Sequence, residues 1–315
     1  MTTNVGPYSR SLSRQYPGLF VILLDQSDSM SQLVTHNNQS KASLVTSYVN
    51  AIIQRLIELA QVESKPGGKN ETRKKYAYLS VIGYNDIVSS LLGPNYMPVD
   101  IPSLDGRELG ELPITRKILD RNGNVKEIIH SNQIIWIKPN AEGNTDMAQA
   151  FEVAERVVQG WLTSPPELIS EEMGYQAERS QCFPPIVINI TDAKNNGNKN
   201  PQKIVESIQQ LYTDNGNVLV CNCHFTNEPN VPCTFPESLE EVRKYCQVKE
   251  DLEVAKRMFE MSSVIPEELL KQAQRYMEKP INSGARCFVF NASPEILLKF
   301  LRWTTLGNLK AGARI

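Results

Sequence analysis

The sequence predicts an α/β fold, a mostly parallel sheet with helices on both faces. Two observations carry this expectation. First, apolar runs of strand length stop abruptly in polar turns: Phe20–Leu24 runs into Asp25-Gln-Ser-Asp-Ser-Met, and Pro185–Ile190 runs into Thr191-Asp192. Runs without polar alternation suit strands buried on both faces. Second, these runs are separated by stretches of helical periodicity, the signature of strand–helix–strand crossovers.

Taken in order, residues 1–16 are polar and patternless and are expected to form a flexible arm. A strand over 19–24 and a polar loop over 30–40 follow. From Ala42 to Ala60, Val45, Tyr48, Val49, Ile52, Ile53, Leu56 and Leu59 recur at helical spacing. Lys65-Pro-Gly-Gly-Lys-Asn70 breaks the chain; it lacks the earlier Gly and trailing Ser/Thr of a phosphate-cradling loop. Tyr76–Val88 reads as a strand. Residues 93–112, with Pro94, Pro98 and Pro102, read as irregular. Two β-prone runs, 114–119 and 125–130, flank Asn122-Gly123, a strong hairpin signal. The lone His130 in this hairpin reads as structural. Ser131–Lys138 reads as a short strand leading to Thr145, and Met147–Leu162 as an amphipathic helix.

In the second half, Asn200-Pro201 pairs an N-cap with a first-turn proline and starts a helix to Leu211. Residues 218–225 form an apolar strand. Helices are expected at 249–261 and 266–278, then a strand over 286–290. Ser293-Pro294 caps a closing helix to about Trp303, with a tail over 304–315. No internal repeat is visible.

Composition narrows the function classes. The chain has 315 residues, 41% hydrophobic and 22% charged, with a formal net charge of −2. That is ordinary for a globular protein, and the absence of a basic field disfavours nucleic acid as a partner. No apolar run approaches the roughly 20 residues that span a bilayer, and the first residues do not read as a secretory signal, so no membrane association and a cytoplasmic location are expected. Of the six cysteines, Cys221 and Cys223 share one strand face near His224 and Cys233. This spacing matches no common structural zinc pattern, so buried free thiols are expected.

The chemistry gathers in three loops. Asp25, Ser27 and Ser29 follow the first apolar run, Thr145 opens the helix at 147, and Asp192 follows the run at 185–190. In open α/β sheets, ligands bind at the carboxyl ends of the strands. Carboxylates with hydroxyls are hard oxygen donors that suit Mg²⁺, Mn²⁺ or Ca²⁺. Asp-x-Ser-x-Ser alone is equally a strand-to-helix turn with a capping serine; three such segments in order make the metal reading stronger.

Asp-x-Ser-x-Ser, a distant Thr and a distant Asp, in this order, resemble the von Willebrand factor A (VWA) domain and its metal-ion-dependent adhesion site. Met258-Phe-Glu-Met-Ser-Ser-Val-Ile-Pro266 and Phe288-Val-Phe-Asn-Ala292 look like late segments of bacterial VWA proteins, so the resemblance spans about 17–303, with an insertion near 93–130. It departs from the pattern at Asp28 and Ala193, where the family often has Gly. The resemblance implies a Rossmann-like sheet of about six strands with one antiparallel edge strand. It also implies direct metal binding by the hydroxyls of Ser27, Ser29 and Thr145, and binding by Asp25 and Asp192 directly or through water. The implied function is a protein-interaction module whose ion takes an Asp or Glu of a partner protein. Intracellular bacterial members, among them tellurite-resistance-associated proteins, work beside kinases, phosphatases or AAA+ ATPases in stress and defence. The alternative is a metal-dependent phosphoester hydrolase. Against it, Ser27 stands where a haloacid-dehalogenase-type phosphatase needs a second Asp. No Gly-x-Ser-x-Gly supports a serine hydrolase either, and the chain is expected not to be an enzyme.

Overall fold

The computed structural model describes residues 6–34, 39–60, 74–119, 125–192, 199–226 and 231–307. Strand β1 (Gly18–Asp25) is buried at every position, as its unbroken apolar sequence requires. Helix α1 (Lys41–Ala60) starts where the Ser40 hydroxyl accepts the Ser43 N–H at 3.1 Å, and it buries Val45, Val49, Ile52, Ile53 and Leu56. Strands β2 (Ala77–Tyr84) and β3 (Val88–Ser90) divide the single strand expected over 76–88. The chain turns at 85–87, and β3 returns antiparallel along β2. Asn85 makes that turn by accepting the Ile87 N–H on its side chain at 2.9 Å.

The stretch expected to be irregular holds two 3-10 turns, Pro94–Tyr96 and Ile101–Leu104, and the two-residue strand β4 (Val99–Asp100), and its last residues belong to the next strand. Strands β5 (Gly110–Leu119) and β6 (Val125–Ile135) then form the expected hairpin, from Gly110↔Ile135 to Leu119↔Val125; its Asn122-Gly123 turn lies outside the described residues. The separate strand expected at 131–138 is instead the end of β6, which pairs with β5 and not with the main sheet. Helix α2 (Met147–Leu162) matches its periodicity, with Asp146 as N-cap accepting the Gln149 N–H at 3.1 Å.

Two short strands, β7 (Leu168–Ser170) and β8 (Gly174–Tyr175), pair locally before β9 (Ile186–Thr191). Helix α3 (Gln202–Gln210) begins at Pro201, and the Asn200 carboxamide accepts the Gln202 N–H at 3.1 Å. A tight pair, β10 (Tyr212–Thr213) and β11 (Gly216–Asn217), leads into β12 (Leu219–Phe225). The remaining elements are β13 (Cys233–Thr234), α4 (Leu239–Arg243), α5 (Lys249–Glu260), α6 (Glu267–Met277), β14 (Phe288–Ala292) and α7 (Pro294–Leu306), the last capped by Ser293.

Among the described residues the main sheet has eight strands, not six. Its order is β13-β14-β12-β9-β1-β2-β3, with β4 also on β2. The parallel core is β14-β12-β9-β1-β2; β3, β4 and β13 add antiparallel edges. The extra strands are two or three residues long, too short for a period-two pattern to stand out in the sequence. Period-two alternation sends side chains to two cores. On one face Phe20, Ile22 and Leu24 pack with α1, α6 and α7; on the other Leu19, Val21 and Leu23 pack with α2, α3 and α5.

Residues 6–16 differ from the flexible arm expected of 1–16. Leu12 is 4% exposed, and Tyr8 stacks edge-on against Phe183 at 6.1 Å. The Tyr8 N–H donates to Asn215 O at 2.6 Å and its hydroxyl to Asn217 O at 3.0 Å. The anchors are two isolated apolar residues, too few to give a periodic signal.

Candidate metal centre

Sheet register assembles the site. The pairing places Asp25 beside Tyr84 on one side, while Leu24 pairs with Ile190 and His224 with Thr191 on the other. Asp25, Thr191 and His224 therefore stand in one row at the carboxyl edge of three neighbouring strands.

Asp25 is 3% exposed and firmly held. Its Oδ1 accepts the Ser27 N–H at 2.9 Å, and its Oδ2 accepts the Thr191 hydroxyl at 2.5 Å. Burial pushes its pKa up to about 6; the Ser27 and Thr191 hydrogen bonds pull the other way, and the nearby Asp192 charge adds to the rise. After Asp25 the chain makes a single 3-10 turn, Asp28–Ser31, pinned by the fully buried Met30. This turn brings the Ser27 and Ser29 hydroxyls to 3.2 Å from each other.

The loop carrying Thr145 is tied to the first. The Asp28 N–H donates to Gly143 O at 2.9 Å, and the Glu142 N–H to Gln26 O at 2.8 Å. Its shape depends on Asp86, whose carboxylate accepts the Asn144 N–H at 3.1 Å and the Asn144 side-chain amide at 2.9 Å. Gly143 has φ +77°, and a Cβ there would come within 2.2 Å of Asp86 Oδ2, so this position requires glycine. Thr145 follows, 1% exposed, immediately before the N-cap of α2.

Asp192 leaves β9 at 8% exposure. Its Oδ2 accepts the Lys41 Nζ–H at 2.6 Å, a buried ion pair, while its Oδ1 is buried with no hydrogen-bond partner among the described residues. Burial pulls its pKa upward, but the Lys41 charge and hydrogen bond, helped by the Ser29 hydroxyl, outweigh it and hold the carboxyl below its usual range.

Asp25, Ser27, Ser29 and Asp192 are thus linked by direct contact or near electrostatic influence, and Thr145 sits on a loop bonded to theirs. The donor set fits a hard divalent cation: two carboxylates, one of them with a buried oxygen that has no partner among the described residues, and three hydroxyls. Among the described residues no group of three or more His, Cys, Asp or Glu side chains is placed to hold a metal, so a thiolate site is not formed there. All six cysteines are free, and five are buried.

Sequence reading misses three neighbours. Lys41 opens α1, where a cation opposes the helix dipole; that misplaced charge was the available signal. Thr191 holds Asp25 in place. His224 stacks on Phe290 at 4.7 Å, accepts the Asn291 N–H at 3.2 Å, and is driven by desolvation to a pKa of about 4.

No helix among the described residues is long and apolar enough to cross a membrane. No protein-family model matches the chain, and no curated protein matches it by sequence. Similar solved structures include proximal thread matrix protein 1 from the mussel byssus, at 14% identity and TM-score 0.35, covering 68% of this chain and 37% of that one. The same mussel protein with a zinc-occupied MIDAS motif aligns at 15% identity and TM-score 0.34, over 68% of this chain and 37% of that one. A von Willebrand factor type A protein from Catenulispora acidiphila aligns at 11% identity and TM-score 0.35, over 79% of this chain and 44% of that one. The chain spans less than half the length of these three structures.

Proposed function

We propose that the chain is a metal-dependent protein-interaction module. In this reading Asp25, Ser27, Ser29, Thr145 and Asp192 hold Mg²⁺, or Mn²⁺ or Ca²⁺ in its place, at the sheet edge. The observation that carries it is the buried, unpartnered Asp192 Oδ1 beside the Ser27–Ser29 hydroxyl pair and the fixed Asp25 carboxylate. When bound, the ion supplies an electrophilic centre only partly neutralised by its ligands. Neutral hydroxyls leave charge on it, and an Asp or Glu from a partner protein completes its shell.

One carboxylate cannot give specificity, since stable interfaces bury about 1,600 Å². The β5–β6 hairpin is the favoured additional surface. A broad groove of about 1120 Å³ with mixed polar and apolar walls runs between its base and α1, reaching Leu33, Gln39 and Ser40 next to Lys41. We assign no catalytic residue and propose that the chain works in the cytoplasm as an adaptor, beside a kinase, phosphatase or AAA+ ATPase in a stress or defence system. The test combines titration calorimetry with affinity capture. Mg²⁺ or Mn²⁺ binds at one site in the wild type and not in Asp25→Ala, and captured partners are released by EDTA. Equal metal titrations for both proteins, or capture indifferent to EDTA, overturn the reading.

A further inference from the structure

A second site lies on the same face of the sheet as α2 but toward the other end of that helix. A cavity of about 510 Å³ opens between β2, the turn at 94–98 and the last turns of α2. Its lining is rich in aromatic rings: Tyr78 and Trp161 meet edge-on at 6.5 Å, and Tyr96 also lines the cavity. Arg179, 2% exposed, sits beside both rings, 5.2 Å from the Tyr78 centroid and 5.1 Å from that of Trp161. Its guanidinium is aimed by two hydrogen bonds, Nε to Ser164 Oγ at 3.1 Å and Nη1 to Gln176 Oε1 at 2.8 Å. A buried Arg without a bidentate carboxylate is uncommon. The nearby carboxylate, Glu167, is already engaged by the Tyr78 hydroxyl at 2.6 Å and by Lys75 at 3.0 Å. Arg156 adds an exposed cation at the rim. Trp161 Nε1, a donor that normally finds an acceptor when buried, has none among the described residues.

We propose that this cavity binds a small organic anion with a planar ring. The ring lies among Tyr78, Tyr96 and Trp161, and the anionic group meets Arg179 and Arg156. The volume falls within the range of small-molecule sites, and a few polar groups on a mostly apolar wall fit their usual lining. The site is separate from the candidate metal edge: residues 147 and 161 lie ~21 Å apart along α2.

Gly160 gives a clean test. It lines the cavity on α2, and a Cβ added there meets nothing within 4 Å. Gly160→Leu therefore adds bulk at the cavity wall, with open space for its first side-chain carbon, and replaces a poor helix former. Saturation-transfer NMR and thermal shift are run on the full chain with naphthalene-2-carboxylate, 2-naphthyl phosphate and the neutral 2-naphthylmethanol. We expect at least one anionic probe to bind with Kd about 1 mM or tighter, the scale set by ligand efficiency for a probe of this size. The neutral probe should bind at least fivefold more weakly. Binding should be lost in Gly160→Leu, weaken severalfold in Arg156→Gln and survive EDTA. The preferred anion tells carboxylate from phosphate ligands. No binding by either anion, equal binding by the neutral probe, or equal binding to a folded Gly160→Leu overturns the proposal. Loss of binding with EDTA would also overturn it, because the ligand would then sit on the metal.

Discussion

Replacing Lys41 by Met separates the metal reading from a purely structural one. The Lys41–Asp192 pair is almost wholly removed from water, with side-chain exposures of 3% and 5% and a contact of 2.6 Å. Removing one partner of such a pair typically costs about 3–5 kcal/mol, because the other charge is left buried and alone. Lys41→Met without metal should therefore melt about 6–10 °C lower, at roughly 2 °C per kcal/mol for a domain of this size. Metal affinity should move the opposite way. An ammonium on the order of 5 Å from a divalent ion repels it by about 2–7 kcal/mol, for effective dielectric constants between 80 and 20. Even the lower bound predicts Mg²⁺ or Mn²⁺ binding tightened at least tenfold. Saturating metal should then restore most of the lost stability, about 2.7 kcal/mol at a hundred times Kd. Calorimetry and differential scanning fluorimetry, each with and without metal, measure both effects. A mutant that loses stability but binds metal no better, or binds it worse, would refute the idea that Lys41 shares Asp192 with a cation.

Other outcomes follow from the same geometry. Thr145→Ala, which deletes one hydroxyl without changing charge, should weaken metal binding severalfold while far-UV circular dichroism stays unchanged; unchanged affinity would remove Thr145 from the ligand set. His224 has a folded pKa depressed to about 4. Its folded state thus binds fewer protons than the unfolded one, and its contribution is present above about 6.5 and lost as pH falls toward 4. Wild type should lose up to about 3 kcal/mol from this residue across that window, and His224→Gln, followed by urea titration, should flatten the slope. Leu12→Ala should cost about 2–4 kcal/mol if residues 6–16 are part of the core edge, since Leu12 packs within 2.5 Å of where a Gly18 Cβ would stand. A change below 0.5 kcal/mol in the same titration would return that segment to a loose arm.

Much of this was legible because burial leaves strong local marks. The unbroken run at 20–24 suits a central strand, which puts Asp25 at its carboxyl end, where the structure has it. The periodicity at 147–162 and the proline caps at 201 and 294 set helix starts to within a residue or two. What stayed hidden depends on contacts between distant residues. Nothing near Lys41 in the chain announces Asp192, and the pairing of Thr191 with Asp25 follows from strand register. The buried relay from Tyr84 OH to Asn189 at 2.8 Å, on to Asn222 at 3.0 Å and Ser262 at 3.0 Å, runs beneath the site through segments that read as apolar strands. A single Asn in such a run gives no hint that another waits on the next strand. The β2–β3 turn was missed because Asn85, Asp86 and Ile87 are too few to interrupt a strand pattern, although Asp86 then shapes the Thr145 loop.

The central claim is that one divalent cation sits among Asp25, Ser27, Ser29, Thr145 and Asp192. Electron paramagnetic resonance of free Mn²⁺, titrated against the full-length chain, counts bound ions directly. The account predicts one Mn²⁺ per chain, displaced by excess Mg²⁺ and absent in Asp25→Ala at a protein concentration where circular dichroism shows that variant folded. Free Mn²⁺ equal to total Mn²⁺ throughout the wild-type titration, or one ion still bound in folded Asp25→Ala, would contradict it.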